Sequence, residues 1–225
     1  MLELLNWLGT LTFAATGALV GIQQRFDIVG VLVLASVTAV GGGSIRDIVV
    51  GRLPTAAIRN EPLLWVVALT GLLVFYLDAY LSLDAYLSND TNPNTHKLKA
   101  RHARHQRRLQ LLVYGLDTLG LAVFAALGAE SGLSASLGMW GVIFTGTVSA
   151  VGGGVLRDVL VGKIPGIFYR AGDFYASAGA LGALVVFLLY GLNTQVALVA
   201  GITSCLLMRV SSRALKLNLP VTRKI

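Results

Sequence analysis

Gly41-Gly42-Gly43-Ser44-Ile45-Arg46-Asp47-Ile48-Val49-Val50-Gly51-Arg52-Leu53-Pro54 returns 111 residues later as Gly152-Gly153-Gly154-Val155-Leu156-Arg157-Asp158-Val159-Leu160-Val161-Gly162-Lys163-Ile164-Pro165. Eight of the fourteen positions are identical, and of the rest only Ser44/Val155 is not a conservative change. The correspondence extends upstream. Leu5-Asn6 and Gly9 align with Leu116-Asp117 and Gly120, and the segment from Phe13 to Ala18 aligns with that from Phe124 to Ala129. Downstream, Arg59 aligns with Arg170. A long internal repeat dictates architecture before any local feature does.

Each copy of the motif closes an apolar stretch. The chain has 225 residues, 55% of them hydrophobic and 13% charged, with a mean hydropathy of +0.74. Soluble domains carry about 25% charged residues, so a compact water-soluble enzyme is excluded. A helix crosses a hydrocarbon core of about 30 Å with roughly 20 apolar residues. Seven stretches qualify, near 4–22, 28–51, 62–83, 110–129, 137–161, 172–191 and 194–211. The first lacks the basic leader and cleavage site of a secretory signal and is expected to be a retained helix. The fold class expected is an all-α polytopic membrane protein of seven transmembrane helices.

The net charge of +7 is topological rather than a nucleic-acid footprint. Lys97, Lys99, Arg101, Arg104, Arg107 and Arg108 fall in one connection, and Arg209, Arg213, Lys216, Arg223 and Lys224 crowd the C-terminus. Basic loops stay in the cytoplasm. Seven spans put both clusters on that side and the N-terminus outside. The expected organisation is a first three-helix repeat at 1–83, a cytoplasmic basic loop at 84–109, a second three-helix repeat at 110–191, and a seventh helix with a basic tail at 192–225. Because each repeat has an odd number of spans, the second enters the membrane inverted. Inverted repeats with matched glycine interruptions mark transport pathways.

Consecutive glycines cost about 0.8–1 kcal/mol each relative to alanine in a helix. Gly41, Gly42, Gly43 and Gly152, Gly153, Gly154 are therefore expected to kink the second and fifth helices. Each span would divide into a longer half (28–40; 137–151) and a shorter one (44–51; 155–161), freeing carbonyls for cations. Close helix packing is the alternative use of such glycines. Arg46-Asp47 and Arg157-Asp158 follow directly, and ionisable groups in a membrane persist when paired or facing water. Arg157 is expected to reach Asp117. The corresponding outer position is the neutral Asn6, so the two vestibules would differ. Gly51 and Gly162 end the helices, with Pro54 and Pro165 barring continuation. Thr38, Ser44, Thr145, Thr147 and Ser149 are candidate pore-lining hydroxyls, with back-bonding to their own helix as the alternative.

The histidines, His96, His102 and His105, all lie in the basic loop. A metal site or pH sensor there lacks any Cys or carboxylate to complete a ligand set, and a solvated juxtamembrane helix is the simpler reading. The single cysteine, Cys205, permits no intrachain disulfide. Gly162-Lys163 is not a phosphate-binding loop, because Ile164 stands where Ser or Thr is needed. No cofactor and no tight metal site is expected, and the chain is not expected to be an enzyme.

The doubled GGGxxRDxxxGxxP motif on the second and fifth spans resembles the prokaryotic branch of the trimeric intracellular cation channel (TRIC) family, whose domain has also been labelled a glycine transporter. The resemblance covers nearly the whole chain. It implies a homotrimer in a lipid bilayer, with a pore in each subunit bordered by the kinked second and fifth helices and permeable to K⁺ and Na⁺. On that reading the glycines are hinges and Arg46, Asp47, Asp117, Arg157 and Asp158 shape the vestibules. A secondary transporter of a small solute such as glycine is the alternative. A purely structural membrane protein would leave both Arg-Asp pairs unexplained.

Overall fold

The computed structural model describes residues 1–87, 95–168 and 174–215; the side chains of 82–87 and 95–105 lie outside the description. The basic tail from Lys216 onward, and the side chains of His96, His102 and His105, are thus not described.

The chain is helical throughout the described residues: α1 (Leu2–Gln23), α2 (Ile28–Val49), the short α3 (Ala56–Arg59), α4 (Glu61–Leu87), α5 (Thr95–Ser134), α6 (Met139–Leu160), α7 (Tyr175–Leu189) and α8 (Thr194–Ala214). A 3₁₀ turn spans Gly166–Phe168. Among the described residues six helices are long and apolar enough to cross a membrane, and α7 is a shorter apolar helix of 15 residues. With α7 included, the described apolar helices number seven, in line with the count expected from the sequence. The basic stretch expected as a loop is helical from Thr95 and forms the first part of α5. This is the juxtamembrane-helix reading of that segment.

The repeat is exact at three helix boundaries. Adding 111 to the bounds of α2 gives the bounds of α6, and Gln23 at the end of α1 maps onto Ser134 at the end of α5. The stops match as well. After α2, the Gly51 amide donates to Ile48 and that of Arg52 to Asp47; after α6, Gly162 donates to Val159 and Lys163 to Asp158. These are paired Schellman closures. Gly51 (φ 73) and Gly162 (φ 70) occupy the left-handed position that the closure requires, a conformation glycine adopts without steric cost.

The two halves meet face to face. Phe13 and Phe124, repeat mates, stack with centroids 5.2 Å apart. Gly9 lies against the Phe124 ring and Gly120 against the Phe13 ring. Around them the core is largely alanine, valine and leucine, with Ala14, Leu121, Ala122, Val123 and Ala125 buried. Small side chains let membrane helices approach, where dispersion rather than water exclusion holds them. α4 packs on α1 and α2, and α8 on α7 and α5. Leu64, Trp65, Leu69, Leu73, Tyr76 and Leu77 on α4 stay exposed.

One expectation fails here. The triple glycines do not interrupt their spans: α2 and α6 are each a continuous α-helix of 22 residues. The division into 28–40 with 44–51, and into 137–151 with 155–161, is absent. Gly42, Gly152 and Gly153 lie instead where the two helices touch.

Candidate functional site: two vestibules flanking a glycine crossing

α2 and α6 cross at their glycines, and the contact is reciprocal. The Gly42 Cα faces the Ser149 carbonyl oxygen, and the Gly153 Cα faces that of Thr38. A Cβ at either glycine would collide with the opposing carbonyl. Thr38 and Ser149 are repeat mates, so two Cα–H groups approach two carbonyls about a pseudo-two-fold axis, a weak but recurrent helix-packing contact. Gly152 is also tight, since a methyl group there would stand 2.9 Å from the Gly42 Cα. Gly41 faces the end of the Leu156 side chain and, at 3.8 Å, the Gly153 Cα, and Gly43 only Arg46. Gly154, the mate of Gly43, lies against the Tyr175 hydroxyl.

The candidate hydroxyls divide. Thr38, Thr145 and Ser149 are fully buried. Thr38 donates to the Leu34 carbonyl, Thr145 to Gly141 and Val142, and Thr147 to Ile143. Their own helices thus satisfy these three hydroxyls, which is the back-bonding alternative. Ser149 Oγ is buried with no hydrogen-bond partner among the described residues, and Ser44 is half-buried.

Beyond the crossing, each Arg-Asp pair fastens the chain that follows its helix. At one end of the bundle, Arg46 Nε and Nη2 donate to Asp47 Oδ1 at 3.0 and 2.7 Å, and Asp47 Oδ2 accepts from the Ala56 amide at 2.8 Å. At the other, Arg157 Nε donates to Asp158 Oδ1 at 3.0 Å, and Asp158 Oδ2 accepts from the Gly166 amide at 3.2 Å. Each carboxylate therefore neutralises its neighbouring guanidinium and holds the Gly–Pro turn against the helix end.

The Arg46 end opens into a cavity of about 220 Å³ lined by Glu3, Asn6, Arg46, Arg52, Glu130 and Ser131, among others. Arg52 spans it, donating to Ser131 Oγ at 3.1 Å and Ser134 Oγ at 2.6 Å. The Arg157 end opens into a cavity of about 390 Å³ lined by Gln23, Gln110, Tyr114, Asp117, Asp158 and Arg209, among others. The expected Arg157–Asp117 pair is present, with Nη1 to Oδ1 at 2.9 Å. It belongs to a larger cluster. Arg209 Nη2 donates to Asp117 Oδ2 at 2.8 Å, and the Tyr175 hydroxyl donates to Oδ1 at 3.3 Å. The Arg209 guanidinium stacks 4.3 Å from the Tyr175 ring centroid, and that of Arg213 lies 3.7 Å from Tyr114. Buried charges are tolerated only when paired and hydrogen-bonded to this degree.

Arg209 is the residue that sequence reasoning misplaced. Counted as part of a basic cytoplasmic tail, it is 3% exposed and paired with Asp117. The signal was present in its spacing: Gly201, Cys205, Arg209 and Ser212 all lie on the buried face of α8, recurring at the three- and four-residue intervals of one helix face. Tyr114, Tyr175 and Arg52 were also missed, and no motif marks them. Among the described residues no group of three or more His, Cys, Asp or Glu is placed to hold a metal ion.

An inverted repeat of membrane helices, with a charged vestibule at each end of one crossing, defines a polytopic membrane protein of the transport class. The chain belongs to the family whose model is described as "Glycine transporter", which matches residues 3–79 and 114–191. Those two segments are the two repeats. A UPF0126 membrane protein of Deinococcus radiodurans is 40% identical, over 98% of this chain and 93% of that protein. The UPF0126 inner membrane protein YadS of Escherichia coli K12 is 33% identical, over 96% of this chain and 95% of that one. Among solved structures, a prokaryotic TRIC channel crystallised in 0.5 M KCl superposes with a TM-score of 0.80 at 27% identity, covering 97% of this chain and 98% of that one. The TRIC trimeric intracellular cation channel orthologue of Rhodobacter sphaeroides gives a TM-score of 0.77 at 30% identity, over 96% and 98%. The fold is that of the prokaryotic TRIC channels.

Proposed function

We propose that this protein is a monovalent-cation channel in which K⁺ and Na⁺ pass through each subunit of a homotrimer between α2 and α6. The observation that carries the reading is the pair of polar cavities at opposite ends of one glycine crossing, within a fold shared with structures described as cation channels. On this reading the contact of Gly42 and Gly153 with the facing backbone closes the path. Opening requires α2 and α6 to part there, which would turn the carbonyls of Thr38 and Ser149 towards the passing ion. Carbonyl oxygens replace hydration in narrow cation filters. Arg46 and Arg157 would repel cations unless neutralised, and Asp47, Asp158 and Asp117 supply that neutralisation. The Lys/Arg distribution supports an orientation with the Arg157 end and the C-terminus cytoplasmic and the N-terminus outside, and the bacterial membrane-protein relatives support a prokaryotic cell (inner) membrane location.

The family description favours a second reading, a carrier of a small zwitterion such as glycine. Two vestibules separated by one contact also suit alternating access. Purified protein in a planar bilayer under a KCl gradient separates the two. Discrete unitary currents reversing near the K⁺ equilibrium potential are expected. Saturable glycine uptake into proteoliposomes, without unitary currents, would overturn the channel.

A further inference from the structure

The repeat supplies an internal control on charge at the two ends. At the Arg46 end the three corresponding positions are Asn6, Arg46 and Asp47, which together are neutral. At the Arg157 end they are Asp117, Arg157 and Asp158, which carry one net negative charge, with a single guanidinium contacting both carboxylates. The excess arises from one substitution between mates, Asn6 against Asp117. α8 stands outside the repeat, and it places Arg209 on the second oxygen of that same carboxylate. One added negative charge is thus met by one added positive charge from the appended helix.

We propose that Arg209 is a tethered counter-cation: its guanidinium occupies the position at Asp117 that a permeating cation would otherwise take, and it thereby sets how readily cations enter from the Arg157 end. This rests on the channel reading. Three features support an electrostatic rather than a merely packing role. Arg209 lines the cavity together with Asp117, Asp158 and Arg157, so its charge faces the space an ion would cross. Its contact with Asp117 uses the oxygen that Arg157 leaves to it. The ring of Tyr175 lies beneath the guanidinium, a surface that favours a cation at that point.

The sign of the effect distinguishes the proposal from a structural requirement. Arg209→Gln leaves the cluster one charge more negative; Asp117→Asn leaves it one charge more positive. A unit charge about 6 Å from a permeating ion at water-like dielectric changes the local cation concentration about twofold to threefold. The experiment is unitary current in symmetric KCl, read as the rectification ratio for cations entering from the Arg157 end. Arg209→Gln is expected to raise that ratio about twofold to threefold and Asp117→Asn to lower it by a similar factor. Arg209→Lys, which keeps the charge, and the Asp117→Asn/Arg209→Gln double variant are both expected to return towards the wild-type ratio. These differences should fade between about 0.1 M and about 1 M KCl, as the Debye length falls from about 10 Å to about 3 Å. Shifts of the same sign in both single variants, or shifts insensitive to salt, would overturn the proposal. Absence of unitary currents from the wild-type protein would instead remove the channel reading on which it stands.

Discussion

Gly42 and Gly43 are adjacent in sequence and should behave oppositely when replaced by alanine. In a helix interior, alanine is favoured over glycine by about 0.8–1 kcal/mol. Gly43→Ala would gain that term, since its new methyl group meets only Arg46 Nη2, at an ordinary 3.8 Å. Gly42→Ala would drive its methyl group into the Ser149 carbonyl, which is helix backbone and cannot rotate away. Relief requires α2 and α6 to separate by roughly 1 Å, and overpacking of this kind costs about 1–3 kcal/mol. Set against the propensity gain, a net loss of up to about 2 kcal/mol is expected for Gly42→Ala. Gly153→Ala should match it, because its methyl group meets the Thr38 carbonyl at the same crossing. A single separation of the helices accommodates both methyl groups, so the double variant should cost less than the sum. The assay is the thermal midpoint of purified protein in detergent, paired with unitary currents. Gly42→Ala and Gly153→Ala should lower the midpoint and alter conduction, while Gly43→Ala should leave the midpoint unchanged or raised. Equal stability of Gly42→Ala and Gly43→Ala would refute the contact role of this glycine pair.

At the Arg157 end, Asp117→Asn should be tolerated better in an Arg157→Gln background than alone, with a coupling of about 0.5–3 kcal/mol in a double-mutant cycle on stability; independent effects would contradict the 2.9 Å contact. Gly154→Ala should displace the Tyr175 hydroxyl and so mimic Tyr175→Phe, the two changes being non-additive in unitary-current measurements. Gly51→Ala and Gly162→Ala should each destabilise by about 1–2 kcal/mol, because alanine in the left-handed region carries a Cβ clash that glycine lacks. Neither glycine would place its Cβ near any neighbour, so a thermal melt reads that backbone term cleanly.

Much of the architecture could be read in one dimension because a repeat is a statement about three-dimensional symmetry. An offset of 111 residues located α2 and α6 and paired Gly51 with Gly162. It also anticipated that Arg157 would find Asp117, where the mate of Asp117 on the Arg46 side is the neutral Asn6. The same logic misjudged the triple glycines. Helix propensity counts them as breakers, yet a continuous helix can carry glycines where a second backbone must come close. The partner backbones are those of Thr38 and Ser149, and neither is identifiable until α2 and α6 are set against each other.

Arg209 shows the boundary from the other side. A basic residue near the end of the last span satisfies the rule for cytoplasmic orientation, and composition offers no reason to place it elsewhere. Whether such a side chain extends towards water or turns inward depends on what the neighbouring helices present. Here they present the free oxygen of Asp117 and the ring of Tyr175. The sequence by itself determined the number of apolar spans, the inverted repeat and the turn chemistry that ends its helices, because those follow from local hydrophobicity, spacing and backbone sterics. Only the tertiary structure decided that Gly42, Gly152 and Gly153 form a close helix crossing and that an arginine from the unpaired helix completes the charge cluster. Those outcomes depend on contacts between segments far apart in the chain, where close approach and pairing outweigh local preference.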